Sequence, residues 1–168
     1  EYHRNLSIEQ NGNCDSLIFN FEDACWGDCY EGLNSYVLNC TNCQCAPLTN
    51  QNFKQPHAGS TILAIDIDND NDKDLILGDI LYNNLNLLIN GGNNHNALIT
   101  SVDSIFPKNY LSTSQVDLPM FPAAFYIDVN NDNIKDLVVS PNSTTLSGTE
   151  NKQSSWLYIN SGTNTQLD

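Results

Sequence analysis

The chain has 168 residues, 40% of them hydrophobic, and carries six Lys and Arg against twenty Asp and Glu, for a net charge of −14 and a pI near 4.1. Six scattered basic residues cannot build the positive stripe that nucleic acid or anionic lipid requires, so neither is an expected partner. No apolar run reaches the length of a membrane span, so no membrane insertion is expected; the abrupt Glu1 and Asp168, without a Met start or a charged apolar leader, read as a piece of a processed or longer protein.

The first zone, residues 1–57, opens with short strand candidates at Leu6–Ile8 and Leu17–Phe21. All six cysteines lie between residues 14 and 45: Cys14, Cys25, Cys29, Cys40, Cys43 and Cys45. An even count packed this tightly predicts a disulfide-stapled insertion in an oxidising compartment. Four of the six could instead hold zinc, and fifteen pairings are open for six cysteines. Trp26 and Tyr30 lie among them, either covering the staples or forming a recognition tip. This zone reads as the end of a preceding unit plus a cysteine-rich insertion.

The second zone, residues 58–121, and the third, residues 122–168, are two copies of one pattern. Each holds an apolar run, an acidic loop, Asp-Leu with a second apolar run, and a later run ending in a shared phrase. The runs are Thr61–Ile65, Leu75–Leu77 and Leu85–Ile89 in one copy, and Ala123–Ile127, Leu137–Val139 and Trp156–Ile159 in the other. They are short and bounded by Asn, Gly, Asp or Pro, which are strand signals, and no useful window has a helical period. Near-continuous apolar character predicts sheets buried on both faces. The shared phrases are Leu88-Ile89-Asn90-Gly91-Gly92 and Tyr158-Ile159-Asn160-Ser161-Gly162. The longer second copy places its extra residues in the polar stretch 142–155.

Half of the acidic residues, ten of twenty, lie within Asp66–Asp79 and Asp117–Asp136. The first loop places Asp66, Asp68, Asp70, Asp72 and Asp74 at positions one, three, five, seven and nine. The second places Asp128, Asn130, Asp132, Ile134 and Asp136 there. Alternating oxygen ligands in a tight loop suit calcium, which takes six to eight oxygens in a flexible arrangement; magnesium demands a stricter octahedron. Ile134 can serve only through its backbone carbonyl, and by symmetry Asp72 is expected to do the same. Asn71 and Asn133, at position six, are expected at positive φ, where Asn is the best residue after Gly. Position twelve is Leu77 or Val139 within an apolar run, so the loops are not EF-hands. Two calcium sites are expected, the second weaker because it carries less charge.

The phrases Ile65-Asp66-Ile67-Asp68-Asn69-Asp70-Asn71-Asp72-Lys73-Asp74-Leu75 and Ile127-Asp128-Val129-Asn130-Asn131-Asp132-Asn133-Ile134-Lys135-Asp136-Leu137 resemble the FG-GAP/VCBS repeats of integrin-α-like β-propellers. The resemblance covers residues 58–162. It implies an all-β fold, part of a seven-bladed propeller of four-stranded blades, with calcium in the hairpin between the first two strands of certain blades. It further implies a secreted or surface-exposed bacterial protein, a type IX secretion cargo exported with a C-terminal sorting domain. The Phe-Gly and Gly-Ala-Pro phrases of animal integrins are absent.

No catalytic constellation emerges. His3, His57 and His95 sit in unrelated polar contexts, and the clustered acids are spaced for a metal rather than for acid–base work. Three N-x-Ser/Thr triplets, at Asn5, Asn39 and Asn142, read as chance. The expected function is non-enzymatic: an extracellular module for adhesion or protein–protein contact, its partners being proteins or glycans at a cell surface and the rest of its own propeller. The alternatives are the non-catalytic scaffold of a secreted hydrolase, and a carbohydrate-binding module stacking sugar on Trp26, Tyr30, Trp156 or Tyr158.

Overall fold

The computed structural model describes residues 2–32, 35–40, 59–108, 113–118, 121–141 and 154–163. These residues form an all-β chain of antiparallel sheets with one short helix. The N-terminal strands β1 (Tyr2–Asn5) and β2 (Phe19–Asp23) pair as a ribbon around helix α1 (Ser7–Asn11). The expected strand at Leu6–Ile8 is therefore corrected to a single helical turn. Ser7 accounts for it: its amide and hydroxyl both donate to Asn5 Oδ1, and its hydroxyl oxygen accepts from the Ile18 amide. Such local side-chain bonding offers the backbone an alternative to a ladder. A second small ribbon pairs β3 (Tyr30–Glu31) with β4 (Tyr36–Val37).

The repeat builds two larger sheets. Strands β5 (Ser60–Ile65), β6 (Asp74–Asp79), β7 (Leu85–Asn90) and β8 (Ile99–Phe106) form a four-stranded meander. Strands β9 (Pro122–Ile127), β10 (Asp136–Pro141) and β11 (Trp156–Tyr158) form a three-stranded one. The two share one register. Leu63 faces Ile76 and Ile65 faces Asp74, as Phe125 faces Val138 and Ile127 faces Asp136. Leu75 faces Leu88 and Ile76 faces Leu87, as Leu137 faces Tyr158 and Val138 faces Leu157. Register slips of one residue would turn every side chain to the opposite face, so this agreement fixes equivalent faces as well as equivalent strands. Strand β8, with Thr100, Ser101, Asp103 and Ser104 between its apolar residues, lacks a clean apolar run and is not among the expected strands.

The two sheets stack face to face. Ile65, Ile76, Leu85, Leu87 and Phe106 of the first meet Ala124, Tyr126, Leu137, Val139, Trp156 and Tyr158 of the second. Val116 and Leu118, from the segment between the sheets, are buried in the same core. Burial of each large apolar side chain contributes about 1.5–3 kcal/mol. At one rim β9 runs close to β5 and β6, and Thr61 Oγ1 donates to the Pro122 carbonyl at 2.7 Å. A Cβ on Gly78 would lie 1.9 Å from that carbonyl oxygen, so only glycine permits the approach.

The first sheet is buried on its other face as well. There Leu77, Leu88 and Ile99 pack under Trp26, Cys29, Tyr36 and Leu38 of the cysteine-rich segment. The Ile99 amide donates to the Gly27 carbonyl at 2.8 Å, joining that segment to the start of β8.

Candidate metal centre

Both acidic loops are the hairpin turns between the first two strands of their sheets, 66–73 after β5 and 128–135 after β9. Their backbones follow the same path. Asn69 and Asn71 have φ of 65° and 72°, and Asn131 and Asn133 have 64° and 72°. Positive φ at position six is thus met by Asn in both loops, and position four repeats it. Such runs of left-handed residues curl the loop so that alternate side chains converge on one centre.

The hydrogen bonds repeat too. The Asn71 amide donates to Asp66 Oδ2 at 3.1 Å, and the Asn133 amide to Asp128 Oδ2 at 2.9 Å. The Asp72 amide donates to Asp70 Oδ1 at 2.9 Å, and the Ile134 amide to Asp132 Oδ1 at 2.7 Å. At position nine a buried carboxylate ties the loop to the third strand. Asp74 accepts the Ile67 amide on Oδ2 and the Asn90 amide on Oδ1, both at 2.8 Å. Asp136 accepts the Val129 amide at 3.0 Å and the Asn160 amide at 2.9 Å.

Asn90 and Asn160 complete this latch and were not expected among the site residues. Each uses its side-chain NH2 to reach the carbonyl before the latch Asp, Lys73 at 3.3 Å and Lys135 at 3.1 Å. Each then accepts the amide of Gly92 or Gly162 on its Oδ1 at 3.0 Å. The signal was present in the repeated Ile-Asn-x-Gly phrase, whose Asn reads as an ordinary turn residue until the sheet register sets it beside Asp74.

The loops differ in how well they satisfy themselves. Oxygen atoms of Asp66, Asp68 and Asp74 lie within 4.8 Å of one another. Asp66 Oδ1 and both carboxylate oxygens of Asp72 are buried without a hydrogen-bond partner among the described residues. Burial, and then the charges of Asp70, Asp74 and Asp68, push the Asp72 carboxyl up to about 6. Burial also pushes Asp74 up, against the two amides that favour its charged form. Several acids held this close, with oxygens that nothing among the described residues satisfies, suit a divalent cation. The carboxylate of Asp72 is buried, and its Ile134 counterpart carries no side-chain oxygen.

In the second loop Asp128 is exposed, its Oδ1 accepting the amides of Asn131 and Asp132. Asn130 donates its amide to Asp132 Oδ2 at 2.8 Å, filling with a neutral donor an oxygen that could face a metal. Lys135 Nζ lies 5.8 Å from the centre of the Tyr126 ring and supplies a nearby positive charge.

The cysteines divide. Cys25 and Cys40 are buried and neither is a free thiol, the Cys25 sulfur lying 3.5 Å from the Cys40 carbonyl oxygen. Cys14 and Cys29 carry free thiols, which departs from the expectation that all six are paired. Cys14 is exposed in the turn after α1, and Cys29 packs against Leu77, Leu88 and Ile99. Burial, and then the charge of Glu31, push the Cys29 thiol up to about 11. Cys43 and Cys45 lie outside the described residues, as do His57 and Asn142. Of the aromatic residues considered for sugar stacking, Trp156 and Tyr158 pack into the core between the sheets, and Trp26 covers the first sheet. A cleft of about 430 Å³ lies beside that cover, lined by Glu31, Tyr36, Asp79, Tyr82 and Asn86 among others.

No family model, no curated protein and no solved structure matches this chain.

Proposed function

We propose that this chain is a calcium-stabilised, extracellular β-propeller segment that serves adhesion or protein–protein contact without catalysis. The observation that carries the calcium reading is the trio of buried, unsatisfied oxygens on Asp66 and Asp72, beside the converging oxygens of Asp66, Asp68 and Asp74. Bound calcium would be held there by Asp66, Asp68, Asp70, Asp72 and Asp74, and it would neutralise their mutual repulsion. Asp128, Asn130, Asp132, Asp136 and the Ile134 carbonyl would hold a second, weaker ion. The propeller reading rests on the repeat, its shared register and the face-to-face stacking of the two sheets. The secreted or cell-surface setting rests on the clustered cysteines, with Cys25 and Cys40 as members of disulfide staples.

Thermal melting in calcium, magnesium and EDTA tests the metal reading. Calcium at a hundred times its dissociation constant adds about 2.7 kcal/mol per site, or about 5–10 °C in a domain of this size. A melting temperature indifferent to EDTA would remove the reading.

A further inference from the structure

We propose that the cleft of about 430 Å³ beside the cysteine-rich cover is a saccharide-binding site. The inference gives the adhesion reading a ligand class and rests on that reading for its purpose; its geometry is independent of the calcium loops. The cleft lies at one end of the face that the first sheet turns away from the second. Elsewhere that face is apolar, with Leu77, Leu88 and Ile99 under Trp26, Tyr36 and Leu38. At the cleft it turns polar. Asp79 lies two residues beyond Leu77, Asn86 two before Leu88, and Ser104 two beyond Val102, so all three share the face of those apolar residues. The fold does not require polar residues there. By register the second sheet places Pro141 where the first has Asp79, and Trp156 where the first has Asn86. Yet Asp79 and Asn86 are only 4% and 8% exposed, and burying such groups costs stability unless partners meet them.

Asp79 is held in place by the Leu81 amide, which donates to its Oδ1 at 2.6 Å. Asn86 is met only in part. Its Oδ1 accepts from Asn84 Nδ2 at 3.3 Å, and its own NH2 donates to no described residue. A donor more than nine-tenths buried and uncommitted, lining a cleft, is a group held ready for a ligand. The lining selects the chemistry of that ligand. Glu31 and Asp79 offer carboxylate acceptors, Asn86 a donor, and Tyr82 and Ser104 hydroxyls that can do either. The Tyr36 hydroxyl donates to Glu31 Oε1 at 3.1 Å, which fixes its ring in the wall. Among the described residues no Lys, Arg or His lines the cleft, so an anion meets two carboxylates and no positive charge. An apolar ligand would leave the Asn86 donor stranded, and an ammonium group would use the carboxylates alone. A sugar fits both kinds of group: its hydroxyls donate to the carboxylates and accept from the amide, and its C–H faces lie against tyrosine rings.

Ligand-observed NMR and calorimetry with neutral oligosaccharides of glucose, galactose, mannose and N-acetylglucosamine test this. The parent binds at least one of them. Asn86→Leu weakens that binding by about tenfold or more, because a site built to hydrogen-bond a hydroxyl loses its donor, yet it melts at or above the parent temperature. Asn86→Gln, which keeps the donor, retains part of the affinity. Ser104→Val, at an exposed position, also weakens binding and carries the test if Asn86→Leu does not fold. Binding of none of these sugars overturns the proposal. So does sugar binding that ignores both Asn86→Leu and Ser104→Val, or a preference for lysine amide or spermidine over every sugar. A calcium-responsive melt without sugar binding overturns this proposal and leaves the metal and protein-contact readings standing. Sugar binding by a chain whose melt ignores EDTA overturns the metal reading and leaves this one intact.

Discussion

The two acidic loops share a backbone, a latch and a place in their sheets, yet they differ in electrostatic completeness. In the first, Asp72 brings a buried carboxylate that no donor among the described residues meets. In the second, Ile134 removes that carboxylate and Asn130 donates to Asp132. The comparison separates two jobs that one motif performs. Shaping the hairpin needs the positive-φ Asn residues and the position-nine Asp, which both loops keep. Demanding a cation needs excess carboxylate, which the first loop has in greater measure.

The largest effect should come from the shared part. Asp74→Ala and Asp136→Ala each strand two buried amides, which costs on the order of 3–5 kcal/mol. In EDTA the two variants should lose comparable stability by chemical denaturation; in calcium Asp74→Ala should lose more. Equal losses in both conditions would show the loops to be electrostatically alike.

Asp72→Asn comes next. It relieves the repulsion in metal-free protein, raising stability by about 1–2 kcal/mol, yet weakens calcium binding about tenfold. Opposite signs in EDTA and calcium melts are the expected signature. A variant destabilised in both would assign Asp72 a packing role instead.

Asn130→Asp should sharpen the comparison from the other side. It replaces the donor to Asp132 with a further carboxylate and should tighten the second site by about tenfold, near 1.4 kcal/mol. Calcium titration of this variant reads the effect directly.

The smallest effect is pH dependence without metal. Asp72 titrates near 6 when folded, above its ordinary 3.8, so the folded state binds the proton more tightly. Metal-free protein should therefore gain stability as pH falls from about 6.5 toward 4 and lose it as pH rises. In calcium the gain should shrink or reverse, because protons compete for the same oxygens. The Asp72→Asn variant should lack its share of the metal-free pH dependence.

Much of this arrangement was legible in the chain itself. The repeat placed six strands of the two large sheets, because short apolar runs bounded by Asn, Asp and Pro leave few other choices. The positive φ of Asn71 and Asn133 followed from the loop type. Strand β8 was not legible, since polar residues at Thr100, Ser101, Asp103 and Ser104 hide the run of the last strand of its sheet. Ser7 was misread because a single side chain, bonding to Asn5 and the Ile18 amide, outweighed the β propensity around it. The latch role of Asn90 and Asn160 depends on which strand lies beside Asp74 and Asp136, a fact of register rather than of composition. The burial of the Asp72 carboxylate is likewise a fact of the fold: position seven is Asp in one loop and Ile in the other, and ligand spacing alone does not orient its side chain.

The central claim is that the first loop demands a cation more strongly than the second. Calorimetric titration of the metal-free chain with calcium, alongside Asp66→Ala, Asp128→Ala and the double variant, tests it most directly. Two binding events are predicted, the tighter lost in Asp66→Ala, the weaker lost in Asp128→Ala, and both lost in the double variant. A single event untouched by Asp66→Ala, or no binding heat in a chain whose melting ignores EDTA, would contradict it.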